Sequence, residues 1–561
     1  MKKYRFCLLA LLWLAACDGD PAPAEDAGPD ASAPPVSDAS TPDGSTMDDA
    51  GVDGGEPDAG PPPPGAWTLP MESRVGQKLP MHALYPRPDD ETSPDAYHRR
   101  AHSRVPYRVR VAIQGGEWPF LYELVEGPDG AAFVAGELDR REDPETGWIE
   151  HLRTPGYGVI EWPAPAAGSH AFRVRVTDQS GESVELTWEV TTDDDAFVFV
   201  DAEAGDDAAA GTFDAPLRTF AAGLWRNDDA DATWAGRVAV FRAGRYQVYA
   251  AEPFTSPVLD GAVKPIALVA HPGEAVTFDT SEGHFRTTRV GGLDDYLVAG
   301  IDFTGSRGDL GNARIFNVTD RSERVTFWAL SFDDTGVGGS GRDNPGCIAF
   351  MADGPYHENL AVLDSELRAN AAAQLVVTFD SRRVLFEGNR AIGVDLQPSN
   401  GDMFIHPKDD TNDLTVRDNL FIGRAGTAAI DVSNQITQPS AENQEVCWNT
   451  AIYDGDQNVD AAIRMNGQTT TPDASNVHVY RNTVVSQRRA FVFRGAPMPI
   501  PPVVEGNAYF GGEGGLVGGN RTEGAVANVE LMESDFDADG ALVGEARMMH
   551  AGVAGAEVVA R

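Results

Sequence analysis

Between residues 380 and 464 the chain carries ionisable side chains whose spacing could place them on one surface. Asp380 follows one apolar alternation (Leu375, Val377, Phe379), His406 follows the next (Met403, Ile405), and Asp431 lies within a third (Ile430, Val432). With those apolar residues inside, strand alternation turns Asp402, Phe404, His406, Asp431 and Ser433 outward. The same reasoning puts Thr378 and Asp380 on that face one unit earlier, and Arg464 and Arg494 on later units. After His406 comes the loop Pro407-Lys408-Asp409-Asp410-Thr411-Asn412-Asp413, longer than the neighbouring Asp380-Ser381-Arg382 turn. Lys408 is the one Lys between Lys264 and the C-terminus, in a chain that otherwise uses Arg. These are groups for proton transfer and for holding a cation. A Lys among bare carboxylates keeps its proton and is a poor base; only a cation offsetting those carboxylates would free it.

What must position them is a repeat. Asn389, Asn419, Asn449, Asn482 and Asn507 each close a short apolar run such as Val384-Leu385-Phe386 or Val477-His478-Val479-Tyr480. Successive Asn positions differ by 30, 30, 33 and 25 residues, a solenoid period. Each unit holds three short strands, none of which can bury its apolar face alone. Stacked in parallel they can, and the Asn then repeats at one bend as an internal ladder. The pattern is that of a parallel β-helix. Its register would make Asp380, His406 and Asp431 a column at ~4.8 Å spacing, with Lys408, Asp409 and Asp410 overhanging it.

The 561 residues leave room for more than this array. Residues 71–192 contain alternating runs, Tyr107 to Ile113, Ala171 to Val176 and Leu186 to Val190, separated by turn signals such as Gly115-Gly116 and Pro155-Gly156. Asp193-Asp194-Asp195 marks the boundary to the β-helix, expected over 197–512. There Asp214, Pro216, Leu217, Phe220, Ala221, Leu224 and Trp225 have the spacing of a capped amphipathic helix covering the open end of the solenoid. Residues 513–561 read as a C-terminal cap or tail. Asp18 to Gly65 is Asp, Ala, Pro, Gly and Ser without Lys or Arg, a disordered acidic linker over 18–66 that works as an extended spacer. The net charge of −42 argues against nucleic acid as a partner. Cys347 and Cys447 fall on different strands three rungs apart, ~14 Å along the axis at ~4.8 Å per rung, and are read as buried thiols.

Three resemblances add to this reading. Met1 to Arg5 followed by the apolar Phe6–Leu14 and by Leu14-Ala15-Ala16-Cys17 resembles a bacterial lipoprotein signal, residues 1–17, with Cys17 as the lipidated residue. Tyr122-Glu123-Leu124-Val125-Glu126-Gly127-Pro128 and Gly158-Val159-Ile160-Glu161-Trp162-Pro163 resemble immunoglobulin-like β-sandwich modules of bacterial surface proteins, which serve as spacers or binding modules. Residues from about 197 to 550 resemble right-handed parallel β-helix proteins of the pectate-lyase-like superfamily. That last resemblance implies ligands on the outward face of the first strand of each unit. It also implies calcium held by Asp380, Asp409, Asp410 and Asp431, with Lys408, His406 and Arg464 as catalytic groups for β-elimination on uronates. No sequence in the chain matches the specific catalytic motifs of pectate or pectin lyases. Asp535-Phe536-Asp537-Ala538-Asp539-Gly540 matches only the first half of a calcium loop, and Gly336-Val337-Gly338-Gly339-Ser340-Gly341 has no helix after it.

The expectation is therefore an all-β, monomeric protein of the bacterial cell envelope, held by a lipid on the outer membrane or cell surface. Its β-helix recognises a polysaccharide, with calcium-dependent elimination as the implied chemistry; the alternative is a non-catalytic adhesive or structural rod. Because Cys17 completes the lipidation signal, Cys17→Ala is expected to release the protein from membranes. Fractionation after a high-salt wash checks this, and a variant still in the pellet would refute it.

Overall fold

The computed structural model describes residues 79–134, 138–142, 149–153, 156–220 and, from 236 to 530, the β-strands with the shorter turns between them. Cys17, the acidic linker, Asp409, the calcium-loop-like Asp535–Gly540 segment and the C-terminal tail lie outside the described residues.

From Phe197 the chain winds into a right-handed parallel β-helix. Among the described residues, sheet I has nine strands, from Arg289–Gly291 to Val517–Gly519. Sheet II has twelve, from Phe197–Val200 to Ala525–Val526, and sheet III eleven, from Gly244–Gln247 to Val529–Glu530. One rung is Met403–Pro407 on sheet I, Asn412–Arg417 on sheet II and Leu420–Gly423 on sheet III. Strands pair in register from rung to rung, so like stacks on like. On sheet I, Phe316, Ile348, Val376, Ile405, Ile430, Ile463 and Phe491 form one continuous buried column. Each such side chain removed from water contributes roughly 1.5–3 kcal/mol, which is what drives the stacking.

The expected cap helix starts later than its sequence suggests. Residues around Leu217 are extended, with Leu217 bridging Val200, and the Leu217 amide donates to Phe199 O at 2.9 Å. Thr219 rather than Asp214 caps: its hydroxyl accepts from the Ala222 amide at 3.1 Å. Leu217, Phe220 and Ala222 are buried in the core all the same.

The Asn residues stack as a ladder at the bend between sheets II and III. Asn419 Nδ2 donates to Phe386 O (3.0 Å), Arg417 O (2.9 Å) and Asn449 Oδ1 (2.9 Å). Its Oδ1 accepts from the amide (2.9 Å) and the side-chain Nδ2 (3.0 Å) of Asn389. Asn449, Asn482 and Asn507 continue the pattern, and Ser365 takes the same place one rung before Asn389, its amide donating to Asn389 Oδ1 at 3.0 Å. The residue before Ser365, Asn389, Asn419, Asn449 and Asn482 has positive φ (Asp364, Gly388, Asp418, Trp448 and Arg481), as do Gly300 and Ala329 at the same bend of earlier rungs. The bend is thus a left-handed turn repeated rung after rung, and the Asn amide satisfies the carbonyls that turn would leave unpaired.

A second left-handed column runs through sheet II itself, at Asp295, Arg324, Asn359, Arg383, Asp413 and Asn443. Each faces the next between paired positions with no shift of register, and together they aim polar side chains away from the core. Neighbours on it bond to one another, Arg324 to Asp295 at 2.6 Å, Arg383 to Asn359 at 2.7 Å and Asn443 to Asp413 at 2.7 Å.

The N-terminal region docks on that surface. Its four-stranded sheet contains Gly168–Thr177, Ser183–Thr192 and Leu121–Glu126, and a three-stranded sheet joins Tyr107–Arg110, Val159–Trp162 and Ala132–Phe133. They pack through Tyr107, Trp162, Phe172 and Trp188, with Phe172 and Trp188 stacked at 5.3 Å. The same apolar cluster runs on into sheet II, taking in Phe199, Val240, Val269, Ala299, Trp328, Leu363 and Trp448. Pro64–Arg561 is accordingly one compact unit, and the N-terminal sheets are a buttress of the β-helix rather than a separate spacer. Cys347 and Cys447 are buried thiols that do not bridge to each other.

Asn419→Leu keeps the branching of the side chain and removes five hydrogen bonds at the bend, each orphaned buried group costing ~1–3 kcal/mol. The expected result is a clearly lowered thermal midpoint by circular dichroism; an unchanged midpoint would refute the ladder's role.

Candidate functional site

The residues singled out on sheet I fall into two groups. His406, Asp431 and Arg464 share one register column on the outer side of sheet I, together with Val377. His406 Nε2 lies 3.4 Å from Asp431 Oδ2, and Arg464 Nε donates to Asp431 Oδ1 at 2.8 Å, a second bond joining Arg464 to Oδ2. Sheet I points them as alternation requires, yet His406 and Asp431 are 0 % exposed and Arg464 only 8 %. They form a buried ion-paired network that no polymer can touch.

The expected column is corrected at Asp380. Val376, not Leu375 and Val377 in alternation, carries the inward register of its strand, so Val377 occupies the position above His406. Asp380 lies past the strand end with φ +41°, its carbonyl accepting from the His357 amide at 3.0 Å. Phe404 is corrected too. It points inward, stacked on Phe421 at 5.9 Å, because two consecutive residues enter the core where the chain turns into sheet I, as with Leu375-Val376, Ala429-Ile430 and Ala462-Ile463.

The loop after His406 is similarly committed. Lys408 Nζ lies 5.3 Å from the centre of the Phe379 ring, its amide donates to Thr378 O at 2.7 Å, and its carbonyl accepts from Thr411 at 2.7 Å. Asp410 is buried, with Oδ1 accepting from Asn412 Nδ2 at 2.9 Å. The described members of the proposed calcium set do not fit a metal site: Asp431 is neutralised by Arg464, Asp380 stands apart from its column, and no group of three or more His, Cys, Asp or Glu converges among the described residues.

The accessible feature lies elsewhere, along the bend between sheets II and III. A groove of about 390 Å³ runs there, with Tyr97, Arg108, Gly156 and Val159 of the N-terminal region as one wall. The other wall is the bend itself over six rungs, from Val269–Glu274 to Asp418–Leu420, a length of about 24 Å at ~4.8 Å per rung. Trp328 lies on this wall, with the Arg108 guanidinium 5.9 Å from its ring centre. The left-handed bend residue decides how open each rung is. Gly300, Ala329 and Gly388 leave room, and Asp364 and Asp418 line it with short carboxylates. One rung further on, the position becomes Trp448, packed on Trp118 at 5.6 Å and covered by Arg481 at 5.4 Å, and the groove ends.

The charges of the groove are paired. Asp364 takes Arg110 Nε at 2.9 Å, Glu366 takes Arg368 at 2.6 Å and faces Arg390 at 3.8 Å, and Arg108 faces Glu161 at 3.1 Å. Glu274 bonds Arg242 at 2.7 Å and faces His271 at 3.1 Å. Burial is the largest influence on the His271 imidazole and holds it below its usual value despite Glu274, so it is neutral at pH 7.

Behind the groove sits the clamp that holds its two walls together. Glu387 accepts from Arg417 Nε at 2.8 Å and from Arg110, and all three side chains are at most 1 % exposed. Arg417 also donates to Gly115 O (2.9 Å) and Ile113 O, and stacks over Phe120 at 4.6 Å. Burial alone would lower both guanidinium pKa values. The carboxylates of Asp364 and Glu387 around Arg110, and Glu387 beside Arg417, outweigh it and raise them.

No protein-family model and no curated protein matches the chain. Among solved structures it is similar to the GH136 lacto-N-biosidase of Eubacterium ramulus (12 % identity, TM-score 0.34, 60 % of this chain and 67 % of that one). It is also similar to PfbA, a surface adhesin of Streptococcus pneumoniae (12 %, 0.32, 53 % and 87 %). A third likeness is to the Family 28 exopolygalacturonase of Yersinia enterocolitica (11 %, 0.27, 77 % and 96 %). Likenesses of this size carry nothing about what the chain binds.

Removing one member of a buried ion network leaves the others uncompensated, at a cost of roughly 3–5 kcal/mol. Glu387→Gln is therefore expected to lower the unfolding free energy, measured by chemical denaturation, by that amount; a loss under about 1 kcal/mol would contradict the clamp.

Proposed function

We propose that the protein is a polysaccharide-recognising protein of the cell envelope, anchored through Cys17, which binds a glycan chain along the seam between its N-terminal region and its β-helix. The observation that carries this reading is the groove: six rungs long, closed at one end by Trp448, and walled by both parts of the molecule. Six stacked bends make a line of contacts about 24 Å long at ~4.8 Å per rung, which a chain of sugars can follow and a compact metabolite could not use. Its lining mixes Tyr97 with carboxylates, guanidinia and turn backbone, the combination of apolar surface and fixed polar groups that ligand clefts use for grip and orientation.

Binding is better supported than calcium-dependent elimination. Elimination would need Lys408 to surrender its proton beside a cation, and His406 and Asp431 to meet the polymer. Lys408 instead caps the Phe379 ring, and the other two are buried against Arg464.

Titration calorimetry against a panel of soluble polysaccharides tests the reading. Alanine at Tyr97 or Arg108 on one wall, and at Glu366 on the other, is expected to weaken binding about tenfold, or ~1.4 kcal/mol. Lys408→Ala and added calcium should leave it unchanged. A wild-type protein that binds nothing on the panel would favour the display rod. Formation of unsaturated product, seen by ultraviolet absorbance and lost in Lys408→Ala, would favour the lyase.

A further inference from the structure

This inference rests on the polysaccharide reading and narrows its ligand. We propose that the groove is selective for uncharged, hydroxyl-rich glycans and rejects polyuronates, and that Gly388 is the residue that keeps it open.

The selectivity follows from what the lining can still accept. Glu274, Asp364 and Glu366 line the groove, and a carboxylate only accepts hydrogen bonds. A ligand must therefore arrive with donors. The cations on the walls cannot receive an anion cheaply, because Arg108 already faces Glu161 and Arg390 already faces Glu366. His271 stays neutral at pH 7, so it brings no charge. A uronate carboxylate entering here would lose its hydration beside like charges, in a molecule of net charge −42. Sugar hydroxyls meet none of these costs. They donate to carboxylates whose charge is already balanced from behind, as Arg110 balances Asp364.

The gate follows from the bend column. Its backbone already holds non-glycine residues in the left-handed region, Asp364 at φ +47°, Asp418 at +54° and Trp448 at +58°, so Gly388 at +71° is not there only for its backbone freedom. It stands between the Asp364 and Asp418 rungs, inside the groove. A Trp at this position reproduces the side chain that ends the groove at Trp448.

The test is calorimetry of the full-length protein in detergent with three probes: neutral glucan, mannan and galactan oligosaccharides, polygalacturonate, and a chitosan oligomer. Measurements are made at low and high sodium chloride. The expected result is binding of a neutral probe with a Kd that moves less than about twofold with salt, since no net charge is neutralised. Gly388→Trp should abolish that binding while the thermal midpoint stays near that of Gly388→Asn, which should still bind. Binding of polygalacturonate, or of chitosan with steep salt dependence, overturns the selectivity and leaves the polysaccharide reading standing. Full binding by a folded Gly388→Trp overturns the gate. If no probe binds, both the selectivity and the polysaccharide reading fall.

Discussion

The structure turns on one buried carboxylate. Glu387, on a strand of sheet II, is held between Arg110 of the N-terminal region and Arg417 of the next rung, and all three side chains are buried. Three charges out of water would ordinarily destabilise a protein, and only mutual pairing plus further bonds to Val111, Gly115 and Ile113 offsets that cost. Such a network tolerates one relative position of its partners. It therefore fixes the register between the N-terminal sheets and the β-helix more sharply than apolar packing alone, which would accept sliding along the axis. The groove depends on that register, because one of its walls belongs to each part.

The two left-handed columns explain how a monotonous solenoid acquires such a surface. At the sheet II–III bend, positive φ turns the chain while the Asn ladder satisfies the carbonyls within, leaving the preceding residue to face outward. Substitution there changes the groove without disturbing the core, so Gly, Ala, Asp and Trp can occupy one structural position in successive rungs. The left-handed column within sheet II does the same for docking. It raises Asp295, Asn359 and Asp413 to meet Ser93, His82 and Gln114 of the N-terminal region.

Much of the fold was legible because its determinants are local and repeated. A buried Asn that must satisfy the same carbonyls in every rung returns at a fixed period, and its five copies located the bend. Ser365 escaped notice because its amide and hydroxyl perform the same task with a different residue type. The run Leu375-Val376-Val377 is apolar throughout, so alternation could not choose its inward member, and Asp380 was misplaced with it. For His406 and Asp431 the facing was readable and the burial was not, since burial depends on what packs over a strand. The groove lay beyond local reasoning altogether: Tyr97 and Arg108 meet Trp328 and Gly388 only after docking across hundreds of residues. One signal was present in the chain, the residue preceding successive Asn positions, Gly388 and Asp418 within the groove and Trp448 where it stops.

The central claim is that the N-terminal region and the β-helix are one rigid body. Double electron–electron resonance between spin labels at exposed Thr187 and exposed Asp333 measures this directly, since the buried Cys347 and Cys447 resist labelling. The account predicts one narrow distance distribution, unchanged between low and high salt because the Arg110–Glu387–Arg417 clamp is shielded from solvent. A broad or two-peaked distribution would mean that the N-terminal region swings free, and would contradict it.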